Sequence, residues 1–588
     1  MKEKWLVRNK KEEFLKLSSE MNENSLILRL LANRGISTKE AASLFLNGTI
    51  SDMYDSFLLK DLKEGVSIIK NAIEKGKKII IYGDYDCDGV CSTTILYKGL
   101  KRLGANFDYH IPNRESEGYG MSKERIKILK EEGAEVLLTC DNGISAFDEV
   151  SFAKELGLEV VITDHHDIPI IEEDGEKHKC FPRGDAVINP KREDCTYPFK
   201  NLCGAGVAFK FIQGLYREFS IDLDESIELL EFAAIATVCD VVDLIDENRI
   251  IVKKGLELIN NTTNKGLKAL IKVKNLEDKP ISEYHFGFVI GPCINATGRL
   301  EIADISVELL ITEDEERAKE LAYKLNELNE KRQELTTEST EKVIDKIERT
   351  LGKDERVIVV YEDTIHESIA GIVAGRVRER FNLPSIVLTE GKEMPKGSGR
   401  SIEEYNMFLE LSKCKHLMHK FGGHPMAAGL SVLKENIPLL RKELNERCQL
   451  KDEDIIPKVI IDAPLKLQYI NKELVNKLSL MRPFGKGNWS PVFADKDITV
   501  KRVIFMGKDK NFLRFKMEFS NGMQIDGVNF NKYEEFKNLY IDKYGEEEFL
   551  KLQDTGYCNF KMDILYYPEI NEFKGNSTIQ LSIKSFRL

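Results

Sequence analysis

Three apolar runs of strand length in this chain each end in a cluster of carboxylates or imidazoles. Ile79-Ile80-Ile81-Tyr82 leads into Gly83-Asp84-Tyr85-Asp86-Cys87-Asp88-Gly89, Val136-Leu137-Leu138-Thr139-Cys140 into Asp141-Asn142-Gly143, and Val160-Val161-Ile162-Thr163 into Asp164-His165-His166. With helical stretches between them, such runs predict the buried strands of a largely parallel sheet. Ligands of a parallel α/β sheet bind beyond the carboxyl ends of its strands, so the three clusters are expected on one rim. Crowded carboxylates repel unless a cation sits among them. Oxygen ligands joined by imidazole suit Mn²⁺ or Mg²⁺ better than zinc, which favours thiolate and imidazole. The pattern predicts a metal-dependent phosphoryl-transfer site.

Each cluster alone has a plainer reading. Asp84-x-Asp86-x-Asp88-Gly89 is also how a calcium loop begins, but the glutamate such a loop needs at its twelfth position is missing. A histidine pair is often solvated or structural. It is their place at successive strand ends that favours the site. A fourth acid joins the set: Phe232-Ala-Ala-Ile-Ala-Thr-Val-Cys239 reads as a smooth helix of small residues that presents Asp240 at its end. An acid at a helix C-terminus opposes the helix dipole and calls for a cation partner.

At 588 residues the chain has room for about four domains. Its net charge of −12 means that a polyanion would have to bind at a local basic groove. The longest apolar stretches, such as 229–242, carry acids and are too short to span a membrane. Met-Lys-Glu-Lys-Trp-Leu-Val at the start has no apolar signal core, so a soluble, cytoplasmic protein is expected. Eleven cysteines without a C-x-x-C pair argue against a disulfide framework and a structural zinc site. Cys87, Cys140 and Cys239, beside candidate ligands, are expected to be small buried hydrophobes.

Residues 1–60 are polar and helix-patterned, with Arg34-Gly35-Ile36-Ser37 as a turn before a helix at 38–46. Residues 61–245 alternate strand and helix, with strands near 78–82, 106–111, 135–140, 159–163 and 186–188. Residues 246–350 are helical and end in one long charged helix from 313, whose single leucine stripe suggests a bridge between two domains. A second α/β unit occupies 351–456, and 457–588 is strand-rich like a small barrel.

The motifs together resemble the DHH phosphoesterases, and among them the RecJ-type single-strand exonucleases. The resemblance runs through Asp84–Gly89, Ile-Pro-Asn-Arg-Glu-Ser-Glu-Gly-Tyr-Gly at 111–120, Asp141-Asn142-Gly143 and Asp164-His165-His166. It continues through Cys203-Gly-Ala-Gly-Val207, Asp240-Val241-Val242, Asn295-Ala-Thr-Gly-Arg299-Leu300, Gly422-Gly423-His424 and Pro483-Phe-Gly-x-Gly-Asn488. It implies a DHH domain joined by a long helix to a smaller DHH-associated α/β domain, followed by an OB-like barrel. It also implies two divalent cations held by Asp86, Asp88, Asp141, His165 and Asp240, with Asp84 a ligand or a support behind one. His166 would face the scissile phosphate. Arg114 would clamp phosphate with its charged fork, and Arg299 and Arg400 invite the same role. Asn295, Ser398, Ser401 and His424 belong to the same substrate-binding motifs, although His424 could instead cap a turn. Cys87 and Cys239 stand where alanine-like residues are usual, and Ile365-His366-Glu367-Ser368 replaces the usual Trp-His-x-Gly.

The activity implied is removal of 5′-mononucleotides from the free 5′ end of single-stranded DNA, in repair and recombination. The 5′ polarity comes from the resemblance alone. Phe512, Phe515, Phe519 and Trp489 are candidate base stackers in the barrel. A RecQ-type helicase and a single-strand-binding protein are implied as partners, and the architecture suits a monomer. Two rival readings stand beside this one. A DHH enzyme for oligoribonucleotides, phosphoadenosine phosphate or cyclic dinucleotides has the barrel against it, and a non-catalytic replication scaffold has the full ligand set against it.

Overall fold

The computed structural model describes residues 3–114, 116–118, 120–173, 176–352, 354–507, 511–519, 522–573 and 576–588. Glu115 and Tyr119 of the 111–120 motif lie outside them. The chain divides into two compact units.

The first unit comprises residues 53–242 and 250–457. Its first sheet has five strands in the order Phe107–His110, Ile79–Tyr82, Val136–Cys140, Glu159–Thr163, Ala186–Ile188, all parallel. The three runs that end in acids are its central strands, buried along their length apart from Glu159. This is why they lack polar alternation: both faces are covered. One face carries the Cys87–Arg102 and Gly204–Glu218 helices, which pack on each other, and Leu230–Cys239 lies against the former. Strand order reverses between Ile79–Tyr82 and Val136–Cys140, and the crevice at such a reversal is where doubly wound sheets bind ligands.

The sheet's expected strands are all present. The long helix runs Glu315–Thr350, capped by Asp314, whose Oδ1 accepts from the backbone N–H groups of Glu316 and Arg317. Its first half packs on the Lys265–Val273 and Gly291–Leu300 helices. Its far end places Val343 and Ile347 in a core with Ile358, Val360, Val373 and Val387. The single apolar stripe thus serves two cores in turn. The second of them belongs to a mixed sheet in the order Met418–His424, Ala427–Val432, Lys396–Arg400, Ser385–Thr389, Ile358–Tyr361.

The second unit comprises residues 3–52, 243–249 and 458–588. Phe493–Met506 pairs with both Phe512–Glu518 and Tyr557–Phe573, and the remaining strands link those two through Gln524–Asn529 and Asn576–Arg587. The sheet therefore closes on itself as a barrel. Two features depart from the sequence reading. Residues 1–60 are not helical throughout: Lys4–Val7 is a strand paired in parallel with Lys458–Ile461. The 17-residue strand Tyr557–Phe573 was not anticipated. Phe515 is a core residue with no exposed surface, so it is no stacking platform, whereas Trp489 is 65% exposed.

All eleven cysteines are free. Among the described residues, no helix is long and apolar enough to cross a membrane.

Candidate metal centre

The acidic turns are fixed by the backbone around them. Asp86 is the N-cap of the Cys87–Arg102 helix, its Oδ1 accepting from the N–H groups of Asp88 (2.9 Å) and Gly89 (3.0 Å). Gly89 permits the close turn, since a Cβ there would lie 2.4 Å from the Asp84 carbonyl oxygen. Asp88 is buried, and its two oxygens accept from the N–H groups of Gly204 and Ala205, each at 2.7 Å. Those donors open the Gly204–Glu218 helix, whose N-terminal dipole favours the anion. A Cβ on Gly204 would sit 2.7–2.9 Å from the Asp141 side chain, so glycine lets this helix N-terminus meet the strand end that carries Asp141.

Asp141 has φ +59°, a left-handed conformation that costs a non-glycine residue free energy. Its neighbour Asn142 holds the turn by donating its side-chain amide to the carbonyls of Tyr82, Gly83 and Cys140. Asp164 is consumed locally. Its Oδ2 accepts from Ile144 N–H, and its Oδ1 from the N–H groups of His165 and His166 and from His166 Nδ1 at 2.7 Å. It is thus an organiser of the two histidines rather than a free carboxylate.

His165 points inward, with its side chain only 7% exposed. Its Nε2 lies 3.0 Å from Asp141 Oδ1, 3.4 Å from Asp88 Oδ2 and 3.7 Å from Asp240 Oδ2. Neither ring nitrogen has a hydrogen-bond partner, and Asp84 Oδ1 and Asp141 Oδ1 are likewise buried without one. Ligand atoms of Asp84, Asp86 and Asp141 lie within 4.8 Å of one another, as do those of Asp88, His165 and Asp240, and those of Asp141, His165 and His166.

The protein alone does not neutralise this cluster. Burial, then the charge of Asp86, pushes Asp88 up to about 6. Burial, then Asp88 and Asp86, pushes Asp240 up to about 8. Asp84 and Asp141 are raised well above the usual carboxylate range by burial and their acidic neighbours. His165 is pushed down to about 3 by burial and by His166, so it stays neutral with a lone pair to offer. A buried neutral imidazole amid crowded, under-partnered carboxylates fits divalent cations. His166 is different: its side chain is 43% exposed, and although burial opposes its charge, Asp164, Asp240 and Asp88 raise it to about 9. Asp164 is held at about 2 by that histidine, against burial.

The same unit holds a cavity of about 970 Å³ whose lining includes Arg114, Arg299, Ser398 and Arg400. Burial, with Arg114 and Arg332 nearby, lowers Arg299 to about 10, and its Nη1 donates to Ser368 O at 2.6 Å. Arg400 Nη1 donates to Ser398 Oγ at 2.9 Å. Lys396, Lys420 and Arg376 also line the cavity and were not anticipated; Lys396 and Lys420 lie just before the glycine-rich segments at 397 and 422, and Arg376 is the first of three alternate arginines on a helix.

Three anticipated substrate-binding residues lie elsewhere. Asn295 Oδ1 accepts from Cys87 N–H at 2.9 Å, which places it behind the Asp86–Asp88 turn. Ser401 is buried and donates its hydroxyl to Tyr405 O at 2.6 Å. His424 Nδ1 accepts from Met426 N–H at the tip of a hairpin, the turn-capping role. Cys87 and Cys140 are buried as expected, whereas Cys239 is only partly buried.

The chain is 38% identical over 588 residues to the single-stranded-DNA-specific exonuclease RecJ of Bacillus subtilis, covering 99% of this chain and 70% of that protein. It is 32% identical to the protein of the same description from Haemophilus influenzae, over 97% of this chain and 98% of the other. The chain belongs to the RecJ family. Family models agree: the DHH family N-terminal domain matches residues 78–237, the DHHA1 domain 354–450 and the RecJ OB domain 461–585. The crystal structure of an exonuclease RecJ bound to manganese is 31% identical, with a TM-score of 0.57 over 68% of this chain and 96% of that one. The Mn²⁺ complex of RecJ from Thermus thermophilus shares the fold, with a TM-score of 0.80 at 24% identity over 100% of this chain and 79% of that one. All three parts of the expected architecture, a DHH domain, a DHH-associated domain and an OB-like barrel, are thus found in RecJ-family order.

Proposed function

We propose that this protein is a metal-dependent exonuclease that removes 5′-mononucleotides from the free 5′ end of single-stranded DNA. The observation that carries the reading is His165 Nε2, buried and unpartnered among Asp88, Asp141 and Asp240. Asp84, Asp86, Asp88, Asp141, His165 and Asp240 would hold two divalent cations, Mn²⁺ or Mg²⁺, with Asp141 common to two of the ligand groupings. Bound there, the cations supply positive charge to the reacting phosphate and make water more acidic.

The chain's own residues do the rest. Asp164 fixes the His166 ring by accepting from Nδ1 and keeps it cationic, a charge suited to facing a phosphate oxygen. Arg114, Arg299 and Arg400, the last braced by Ser398, supply guanidinium forks for phosphates in the cavity. Its cations outnumber its acids, as a local polyanion site on an acidic protein requires.

The reading extends to the division 1–60, 61–245, 246–350, 351–456 and 457–588, the last being a nucleic-acid-binding barrel. A RecQ-type helicase and a single-strand-binding protein would open and present the strand to a cytoplasmic, monomeric enzyme.

The test is digestion of single strands labelled at either end, with Mn²⁺, beside an Asp164-His165-His166 triple-alanine variant. Early release of the 5′ label as mononucleotide, absent in the variant, supports the reading. Turnover confined to dinucleotides, or binding without cleavage, contradicts it.

A further inference from the structure

Two aromatic side chains on the first unit are largely exposed to solvent. Tyr284 is 60% and Phe288 68% exposed, and their rings stack with centroids 5.0 Å apart and planes 23° apart. Leaving aromatic side chains in water forgoes the free energy of burying them, so an exposed stacked pair calls for an explanation.

The segment beneath them is anchored firmly. Ser282 and His285 form a capping box at the start of Glu283–His285, and the chain continues as a π-helical turn, Phe286–Ile290. Such turns recur at functional sites. Phe286 and Ile290 are fully buried on the opposite side. The Phe286 carbonyl accepts from Cys239 Sγ at 3.4 Å, and a Cβ on Gly291 would lie 2.1 Å from that sulfur. Cys239 immediately precedes Asp240 of the metal centre. The pair is therefore carried on a short, well-packed element tied to the ligand helix.

Phe288 also lines the basic cavity, as do Arg114 and Arg299. Six arginines and lysines face two glutamates along that lining, so a polyanion threaded through it passes the Phe288 ring. Rings 5.0 Å apart leave no room for a base between them, but most of each side chain is exposed, Phe288 the more so.

We infer that Tyr284 and Phe288 form a stacking platform for one nucleobase of the single strand whose phosphates occupy the cavity. The occupant is a base rather than an apolar peptide because the adjoining charge is cationic and single strands combine a backbone charge with a π-face at every residue. Stacking reads no sequence, so the platform grips any strand, while a base already paired and stacked in a duplex cannot reach it.

This inference rests on the single-strand exonuclease reading, and its test separates the two. Oligonucleotides carrying one abasic position, moved stepwise from the 5′ end, are titrated against the full-length protein in Ca²⁺ and then digested in Mn²⁺. The wild type should lose affinity at one abasic position. Phe288→Ala should bind an intact strand about 5- to 150-fold more weakly, as expected for one lost base–aromatic stack. It should show no abasic dependence there, raise KM with kcat retained, and be rescued by Phe288→Trp. A wild type that degrades single strands with no abasic-sensitive position, or a Phe288→Ala protein with the wild-type profile, overturns the platform and leaves the exonuclease standing. A wild type that neither binds nor degrades single strands overturns both.

Discussion

His166 Nδ1 donates to Asp164 Oδ1 at 2.7 Å, while Asp164 also accepts from the backbone of Ile144, His165 and His166. One carboxylate thus aims the imidazole and keeps it cationic. Asp164→Asn should lower kcat by roughly 10²–10³, the loss typical of one aimed donor to a developing charge. Mn²⁺ affinity should change far less, because Asp164 is absent from the ligand groupings. Steady-state kinetics beside calorimetric Mn²⁺ titration checks this; a kcat within a few-fold of wild type contradicts it.

Asp141 carries opposite consequences with and without metal. Its carboxylate is buried against Asp88, Asp86 and Asp84, which raise it well above its ordinary range along with burial. Asp141→Asn should therefore melt higher than wild type in EDTA. The wild type should gain about 2.7 kcal/mol at a hundredfold excess of Mn²⁺ over Kd, and the variant much less. Thermal melts in EDTA and Mn²⁺ decide it, and equal Mn²⁺ shifts in both proteins would contradict the assignment.

Glu231 is buried outside the metal centre, and burial pushes it up to about 7 from an ordinary 4.5. The folded state then holds a proton that the unfolded state has released, so stability falls as pH rises from about 4.5 to 7. Glu231→Gln should remove that loss, gaining up to about 3 kcal/mol over wild type at pH 8 and little at pH 4.5. Urea unfolding at both pH values measures it, and a pH-independent difference would rule out the titration.

In the second unit, the fully buried Arg249 donates to the carbonyls of Phe45, Leu480, Met481, Arg482 and Pro483. Arg249→Ala strands several carbonyls without donors, at about 1–3 kcal/mol each where water cannot replace it. The stability of this unit should fall by several kcal/mol, seen as a lower urea midpoint for tryptophan fluorescence, since Trp5 and Trp489 both lie in it. A shift below 1 kcal/mol would mean that water takes over these bonds.

The candidate metal centre was legible because the strands that lead into it are buried apart from Glu159, which makes them nearly unbroken apolar runs that stop abruptly at the acids. Asp240 was legible as an acid against a helix dipole. The organising role of Asp164 was not, since nothing in Asp164-His165-His166 tells which of the three turns its oxygens to the backbone. Asn295, Ser401 and His424 sit in motifs beside the cavity residues, but only coordinates reveal that Asn295 Oδ1 bonds Cys87, the Ser401 hydroxyl bonds Tyr405 and His424 Nδ1 bonds Met426. The strand Tyr557–Phe573 alternates only over Phe560, Met562 and Ile564; Leu565, Tyr566 and Tyr567 are then buried in succession, and Pro568 further obscures the pattern. Lys4–Val7 pairs with residues some 450 positions away, a contact no local pattern encodes.

The most direct test is anomalous diffraction at the manganese edge from crystals grown with Mn²⁺. The account predicts two peaks, one among Asp84, Asp86 and Asp141 and the other among Asp88, His165 and Asp240. A cluster that stays empty, or Mn²⁺ bound only outside it, would contradict the account.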